Sequence, residues 1–239
     1  MNATDIMTPD VICAAPDTPL RVLVRLMLDN HVSALPIVEY GRIVGIVSEG
    51  DLFRRVEIGT EPRPSAWQAL VRSTDRLAAD YTRSHGQKAS ELMTRNVVTV
   101  ADTTLLEEVA LLLDTKRVKR VPVTHDGKLV GIVSRRNLLQ ALASRLSAPS
   151  VTAEDRSIRE AFYQALHEQP WAAGVRAINA MVADGVVHLW GTPPDDALRQ
   201  AIVVVAENLA GVSSVEDHMD RPTVVDPLNL PNWPAPAPP

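Results

Sequence analysis

The sequence predicts an α+β protein: two copies of a β-α-β-β-α unit, then a smaller α-β-β-α-β unit and a proline-rich tail. Three observations carry this. Leu35–Asp51 recurs as Val121–Asn137 at an offset of 86 residues that does not drift, with Met7-Thr8 falling on Met93-Thr94 and Val44-Gly45 on Val130-Gly131. A constant offset marks a duplicated unit, and two copies imply a facing pair rather than a solenoid. A different helix–hairpin–helix pattern begins near residue 150. Finally, the last 18 residues, Pro222 to Pro239, hold seven prolines, which precludes helix and internal strand.

Each element has a local reason. Asp17-Thr18-Pro19 reads as a helix start, with Thr18 as cap and Pro19 at the first helical position, where its missing N–H costs nothing. Leu20, Leu23, Val24 and Met27 then form one apolar stripe, repeated as Leu106, Val109, Ala110 and Leu113. Tyr40-Gly41 and Asp126-Gly127 supply hairpin turns. The strands after them, Val44–Val47 and Val130–Val133, are short and β-branched, as buried strands are. The copies span 1–57 and 88–147. Between them, residues 58–87 read as a breaker-rich linker with a helix carrying Trp67, Leu70, Val71 and Leu77, a packing element.

The third unit spans 152–221. Ser157–His167 reads as a helix, Arg176–Met181 and Val186–Trp190 as strands about an Asp184-Gly185 turn, and Pro193-Pro194-Asp195-Asp196 as the start of a second helix closed by Gly211. Val212–Val215 is the last strand. Trp171 and Trp190 read as core or half-core residues. The tail reads as extended or disordered.

Composition narrows the function. The 239 residues are 46% hydrophobic with 4% aromatics, so the cores are aliphatic; the net charge of -5 argues against a dedicated nucleic-acid binder. Cys13, the single cysteine, excludes an intrachain disulfide and, set among Val11, Ile12 and Ala14, reads as a buried inert thiol. No signal-peptide pattern or membrane-spanning apolar run is visible, so a cytoplasmic protein is expected. The six histidines show no metal-ligand spacing, and no nucleophile elbow, phosphate loop or dinucleotide fingerprint is present. The expectation is a binder, with no enzyme activity, no catalytic residues and no metal.

Ser48-x-x-Asp51 is the sharpest local motif. It reads as a capping box and, in the same geometry, as a site where a helix start meets an anion and a carboxylate accepts ribose hydroxyls. Its counterpart, Ser134-x-x-Asn137, lacks the charged acceptors, so the two sites should differ. Lys116, Arg117, Lys119, Arg120, Arg135 and Arg136 crowd around the second copy, where the first has Asn30, His31, Ser33, Ala34, Glu49 and Gly50. They read either as a solvated basic face or as cations converging on ligand phosphates.

Met7-Thr8-Pro9, His31-Val32-Ser33-Ala34-Leu35-Pro36, Gly45-Ile46-Val47-Ser48 and Asp51, with their second-copy counterparts, resemble the CBS domain, here a tandem pair. The resemblance implies two repeats packed through their sheets, clefts that bind AMP, ADP or ATP as regulatory ligand, and a homodimer. It places Asp51 at ribose, Ser48 at phosphate and Ile46 at adenine in the stronger site, completed by Ala34, Asn96, Val98, Val118 and Lys119. The weaker site takes Asn137, Ser134, Ile132, Asp10, Ile12, Val32 and Ser33, with Arg120 facing phosphate.

Ile178–Val182, Asp184–Gly191 and Gly211-Val212-x-x-Val215 resemble the BON domain, with Gly191 at a position where a side chain does not fit. That family implies phospholipid or protein partners and a link to stress response. The combined expectation is a module that senses an adenine nucleotide and relays occupancy to the BON unit. The alternative is an interaction protein with empty clefts that works through that unit. A nucleic-acid regulator using the basic cluster is the remaining, weaker reading.

Overall fold

The computed structural model describes residues 1–53, 59–60, 81–147, 151–175 and 178–220. The linker positions Trp67, Leu70, Val71 and Leu77 and the proline-rich tail lie outside the described residues. In order, the first repeat supplies α1 (Ala3–Ile6), α2 (Leu20–Asp29), β1 (Ala34–Glu39), β2 (Arg42–Ser48) and α3 (Glu49–Leu52). The second supplies α4 (Ala89–Leu92), β3 (Val100–Ala101), α5 (Leu106–Thr115), β4 (Arg120–His125), β5 (Lys128–Ser134) and α6 (Arg135–Ser147). The third unit comprises α7 (Ala153–His167), β6 (Asn179–Ala183), β7 (Val186–Trp190), α8 (Asp196–Glu207) and β8 (Ser214–Asp217).

The turn chemistry sets the hairpins. Tyr40-Gly41, Asp126-Gly127 and Asp184-Gly185 each take positive φ at both positions, between 49° and 79°. This is the two-residue turn whose twist matches its strands. The two hairpins join at their turn ends, where Arg42 pairs antiparallel with Lys128, giving a five-stranded sheet of order β1-β2-β5-β4-β3. The first strand of the first repeat shrinks to one bridge, Ala14 with Ile37, whereas its counterpart pairs Val100 with Val123 and Ala101 with Thr124.

The segment before each repeat packs on the other copy. Thr8 exchanges backbone hydrogen bonds of 2.9 and 3.0 Å with Ile132, and Thr94 does so with Ile46 at 2.9 and 3.0 Å. Accordingly α1 and Met7 share a core with Val109, Leu113, Val121, Val123 and Val133, while Ala89, Leu92 and Met93 pack with Leu23, Leu35, Ile37 and Val47. Two glycines make the approach possible: a Cβ on Gly45 would lie 2.2 Å from Met93 Sδ, and one on Gly131 2.3 Å from Met7 Sδ.

Several expectations are corrected. Pro19, in extended conformation (ψ 147°), is the N-cap of α2, and the Thr18 hydroxyl instead accepts the Ala15 N–H at 3.0 Å. Val24 is exposed, because the buried stripe of α2 runs through Leu23 and Met27. Cys13 is exposed too: Ile12 and Ala14 face the core, and alternation in the extended segment turns the residue between them outward. We expect the thiol to react with Ellman's reagent in the folded protein; a thiol silent until denaturation contradicts this placement.

The third unit wraps α7 and α8 on one face of a sheet ordered β6-β7-β8, with β7 and β8 parallel. Its core is Ile158, Phe162, Leu166, Val187, Leu189 and Ile202, with Trp171 packed at the margin. The last strand begins later than expected: Gly211 (φ 86°) and the Val212 N–H to Leu209 carbonyl bond (3.4 Å) hold the chain in a turn, and pairing starts where the Ser213 N–H donates to the Gly185 carbonyl (2.9 Å). Gly191 takes a φ of 143°, a backbone conformation that side-chain-bearing residues rarely adopt.

Asp155 joins α7 to the hairpin. Its carboxylate accepts the Thr152 N–H (2.7 Å), the Thr152 hydroxyl (2.9 Å) and the Gly185 N–H (2.8 Å). Burial pushes its pKa up, but these donors more than offset that and hold it below the ordinary carboxylate value. A lowered folded-state pKa gives stability that is present above the unfolded value of about 3.9 and is lost as pH falls through the folded one. Asp155→Asn is expected to cost about 1–3 kcal/mol at neutral pH and to flatten the acid limb of stability, read by denaturant unfolding at stepped pH.

Candidate functional site

Two equivalent places arise where a hairpin strand runs into a helix. At the first, β2 ends at Ser48, whose N–H (2.9 Å) and hydroxyl (2.6 Å) both donate to Asp51 Oδ2. Ser48 sits opposite Ala34 in the sheet, and Ile46 pairs with Thr94, two residues before Asn96 and four before Val98. Val118 and Lys119 directly precede Arg120, whose guanidinium crosses from the second copy to the Ser33 hydroxyl of the first. Burial lowers the pKa of Arg120, while the Glu49 carboxylate works the other way. Ser48 and Asp51 are half-buried, and Asn96 and Lys119 are exposed.

The second place has the same backbone but a different use. Ser134 donates its N–H (2.8 Å) and hydroxyl (2.6 Å) to Asn137 Oδ1. The Asn137 amide then donates to the Ile6 carbonyl (3.0 Å) and the Thr8 hydroxyl (3.3 Å), and the side chain is buried. An aspartate there would set a carboxylate against the Ile6 carbonyl; the amide supplies the donor that position needs. Arg120 lies opposite Ser134, and Ile132 pairs with Thr8, ahead of Asp10 and Ile12. Val32 packs on the first repeat's core.

The third unit docks beside this second place. Arg159, buried, donates to the Ala180 carbonyl (2.8 Å) and across to the Met7 carbonyl (2.6 Å), with its guanidinium over the Tyr163 ring. Arg156 pairs with the buried Asp5 at 2.7 Å, His167 meets Asp10 at 3.1 Å, and Asn179 donates to Gln140 at 2.9 Å. Met181 and Trp190 join the core of the second repeat. The sheet of the third unit is therefore covered on both faces.

The basic cluster does not converge. Lys116, Arg117, Lys119 and Arg135 are exposed, Arg120 turns to Ser33, and Arg136 pairs with Asp220 at 3.2 Å. A shallow groove of ≈ 460 Å³ at Ala15, Pro16, Asp17, Val38, Glu39 and Tyr40 lies at the turn end of the first hairpin, away from both serines.

Sequence reasoning did not find the docking residues, although Arg156 and Arg159 share a helix face with Phe162 and Tyr163. It also missed a cluster of His188, Glu216 and His218 in the third unit. No helix of the described residues is long and apolar enough to cross a membrane.

The sequence matches the CBS domain over residues 3–58 and 89–144 and the BON domain over 154–221. It is 31% identical over 150 residues to the chloroplastic CBS domain-containing protein CBSX2 of Arabidopsis thaliana, covering 57% of this chain and 61% of that protein. It is 29% identical over 154 residues to an uncharacterized protein of Methanocaldococcus jannaschii, MJ1426, covering 59% of this chain and 91% of the relative. Among solved structures it is similar to CBSX2 in complex with AMP, at 30% identity and a TM-score of 0.53, covering 60% of this chain and 97% of that one. The duplicated hairpins, the strand-to-helix serines and these matches agree, and the chain belongs to the CBS-domain proteins, as a tandem CBS pair followed by a BON domain.

Proposed function

We propose that this protein is a non-catalytic regulatory module that binds one adenosine-containing ligand of the AMP, ADP or ATP type at the first-repeat cleft. The observation that carries this is the asymmetry of the two serine sites. Asp51 keeps one carboxylate oxygen without a hydrogen bond among the described residues, available to ribose hydroxyls, whereas Asn137 spends both its carbonyl and its amide inside the protein. In this reading Asp51 holds ribose, Ser48 faces phosphate, and Ile46 with Ala34, Asn96, Val98 and Val118 surrounds the base, with Lys119 beside the phosphates. The structure of CBSX2 with AMP supports the ligand class.

The second cleft, with Asn137, Ser134, Ile132, Arg120, Asp10, Ile12, Val32 and Ser33, lies beside the docked BON domain, which reaches Asp10 through His167. Ligand that favours one arrangement of the repeats then shifts how firmly that domain is held, by no more than its differential affinity for the two arrangements. Leu28 on α2, Leu111 on α5 and Leu139 and Leu142 on α6 are 57–68% exposed, apolar surface that suits a homodimer. The alternative, an interaction protein that works through its BON domain alone, predicts no ligand.

The test is thermal and denaturant unfolding with AMP, ADP, ATP, S-adenosylmethionine, NAD and cyclic di-AMP. A ligand at 100 times its dissociation constant is expected to add about 2.7 kcal/mol, and Asp51→Ala to remove that gain. Nucleotide-free protein that ignores every ligand leaves the interaction reading. Equal stabilisation of wild type and Asp51→Ala moves the site elsewhere.

A further inference from the structure

We propose that the BON domain carries a site for a divalent transition-metal ion of the zinc type, formed by His188 Nδ1, Glu216 Oε2 and His218 Nε2. The sheet builds it. His188 on β7 pairs in parallel register with Glu216 on β8, and His218 follows two residues later on the same side. Neither histidine is near the other in sequence, so no spacing rule shows the cluster.

The geometry is that of a ligand set. His188 Nδ1 lies 3.1 Å from Glu216 Oε2, His218 Nε2 lies 3.2 Å from the same oxygen, and the two nitrogens are 3.4 Å apart. A zinc-type ion roughly 2.0–2.1 Å from tetrahedral nitrogen and oxygen ligands sets neighbouring ligand atoms about 3.3 Å apart. The two imidazole planes are within 8° of parallel with centroids 5.6 Å apart. Their nitrogens face each other across that gap, so the rings have to turn before both lone pairs meet at one ion. Two imidazoles and one carboxylate suit zinc rather than magnesium or calcium, which take oxygen ligands.

His188 is held for its Nδ1 edge. The residue is 1% exposed, and among the described residues its Nε2 has no hydrogen-bond partner, so the polar partners it has there lie in the cluster. Burial pushes its pKa down, with Glu216 opposing and His218 adding. Trp190 lies nearly parallel to both rings, at 5.6 and 4.9 Å, and also packs into the second CBS repeat. Three protein ligands leave a fourth position for water, and the ion would pin β8 beside the Arg136–Asp220 contact. The competing arrangement is a carboxylate accepting an N–H from each histidine, which holds no ion.

Zinc titration of the full chain, freed of metal with a chelator and followed by calorimetry and thermal unfolding, tests this. The expected result is one tight equivalent that raises the melting temperature. His218→Ala, at a half-exposed position, should weaken that equivalent by at least about a hundredfold while melting like the metal-free wild type. Glu216→Gln keeps an acceptor for both histidines and should also lose affinity, which decides the matter if His218→Ala fails to fold. Cobalt in place of zinc should give the visible spectrum of a low-symmetry site in wild type only. Absence of a tight equivalent, or the same isotherm in wild type and both variants, means an adventitious ion only and overturns the proposal.

Discussion

Gly45→Ala is expected to destabilise the CBS pair by about 2–3 kcal/mol, read as a shift in the urea midpoint at unchanged slope. The added Cβ would meet Met93 at Sδ (2.2 Å), Cγ (2.6 Å) and Cβ (2.9 Å). Rotation of the methionine clears the first two atoms but not the third, so the backbone that pairs Thr94 with Ile46 has to move. Met93→Ala in the same chain removes Sδ and Cγ and should recover part of the loss, giving a coupling free energy between positions on the two copies. Gly50→Ala is the control: the nearest atom to its Cβ is Ser48 Oγ at 3.6 Å, and the change should be neutral or mildly stabilising within its helical turn. If Gly45→Ala and Gly50→Ala behave alike, the exchange of Met-Thr segments between copies is not what closes the pair.

That exchange marks the limit of what could be read from residues alone. The hairpins were legible because Tyr40-Gly41, Asp126-Gly127 and Asp184-Gly185 specify their own backbone; turn chemistry is local. Ser48 with Asp51 and Ser134 with Asn137 were legible for the same reason, as pairs three residues apart at a helix start. The repeat offset of 86 residues showed that Met7 corresponds to Met93 but not that each lies against the other copy's glycine. Cys13 and Val24 went astray because apolar neighbours do not say which face of an extended or helical segment finds a partner. Glu216 and His218 fell outside the expected last strand, since Gly211 delays its start by two residues and the strand runs on to Asp217, which aligns Glu216 with His188. The Asn137 substitution could be read as a weakened ligand site; that its amide serves Ile6 and Thr8 beside the docked BON domain depends on a partner more than 100 residues away.

Arg159→Met should be the most disruptive single change at the interface between the CBS pair and the BON domain. Its guanidinium makes the 2.8 Å bond to Ala180 and the 2.6 Å bond to Met7 from a 6% exposed position, and truncation leaves both carbonyls without that donor. Charged hydrogen bonds of this kind contribute about 1.5–3 kcal/mol each, so a loss of about 3–5 kcal/mol is expected, spread over docking and the BON core. Arg156→Ala separates the two, because among the described residues its side chain pairs with Asp5 of the CBS pair alone, a buried carboxylate left without its cation. With the arginine itself half-exposed, solvent screening reduces that effect to about 2 kcal/mol, and it falls on docking alone. Limited proteolysis between α6 and α7 should therefore accelerate in Arg156→Ala while the BON domain itself stays protected. On the proposed reading of one nucleotide per chain, stoichiometry in the same variant then bears on the second cleft. A rise from one ligand per chain to two means that the docked domain masks a competent site. A stoichiometry that stays at one means that Asn137, with no charged acceptor for a ribose, disables the cleft by itself, and the BON domain is then seated on a surface the ligand never used.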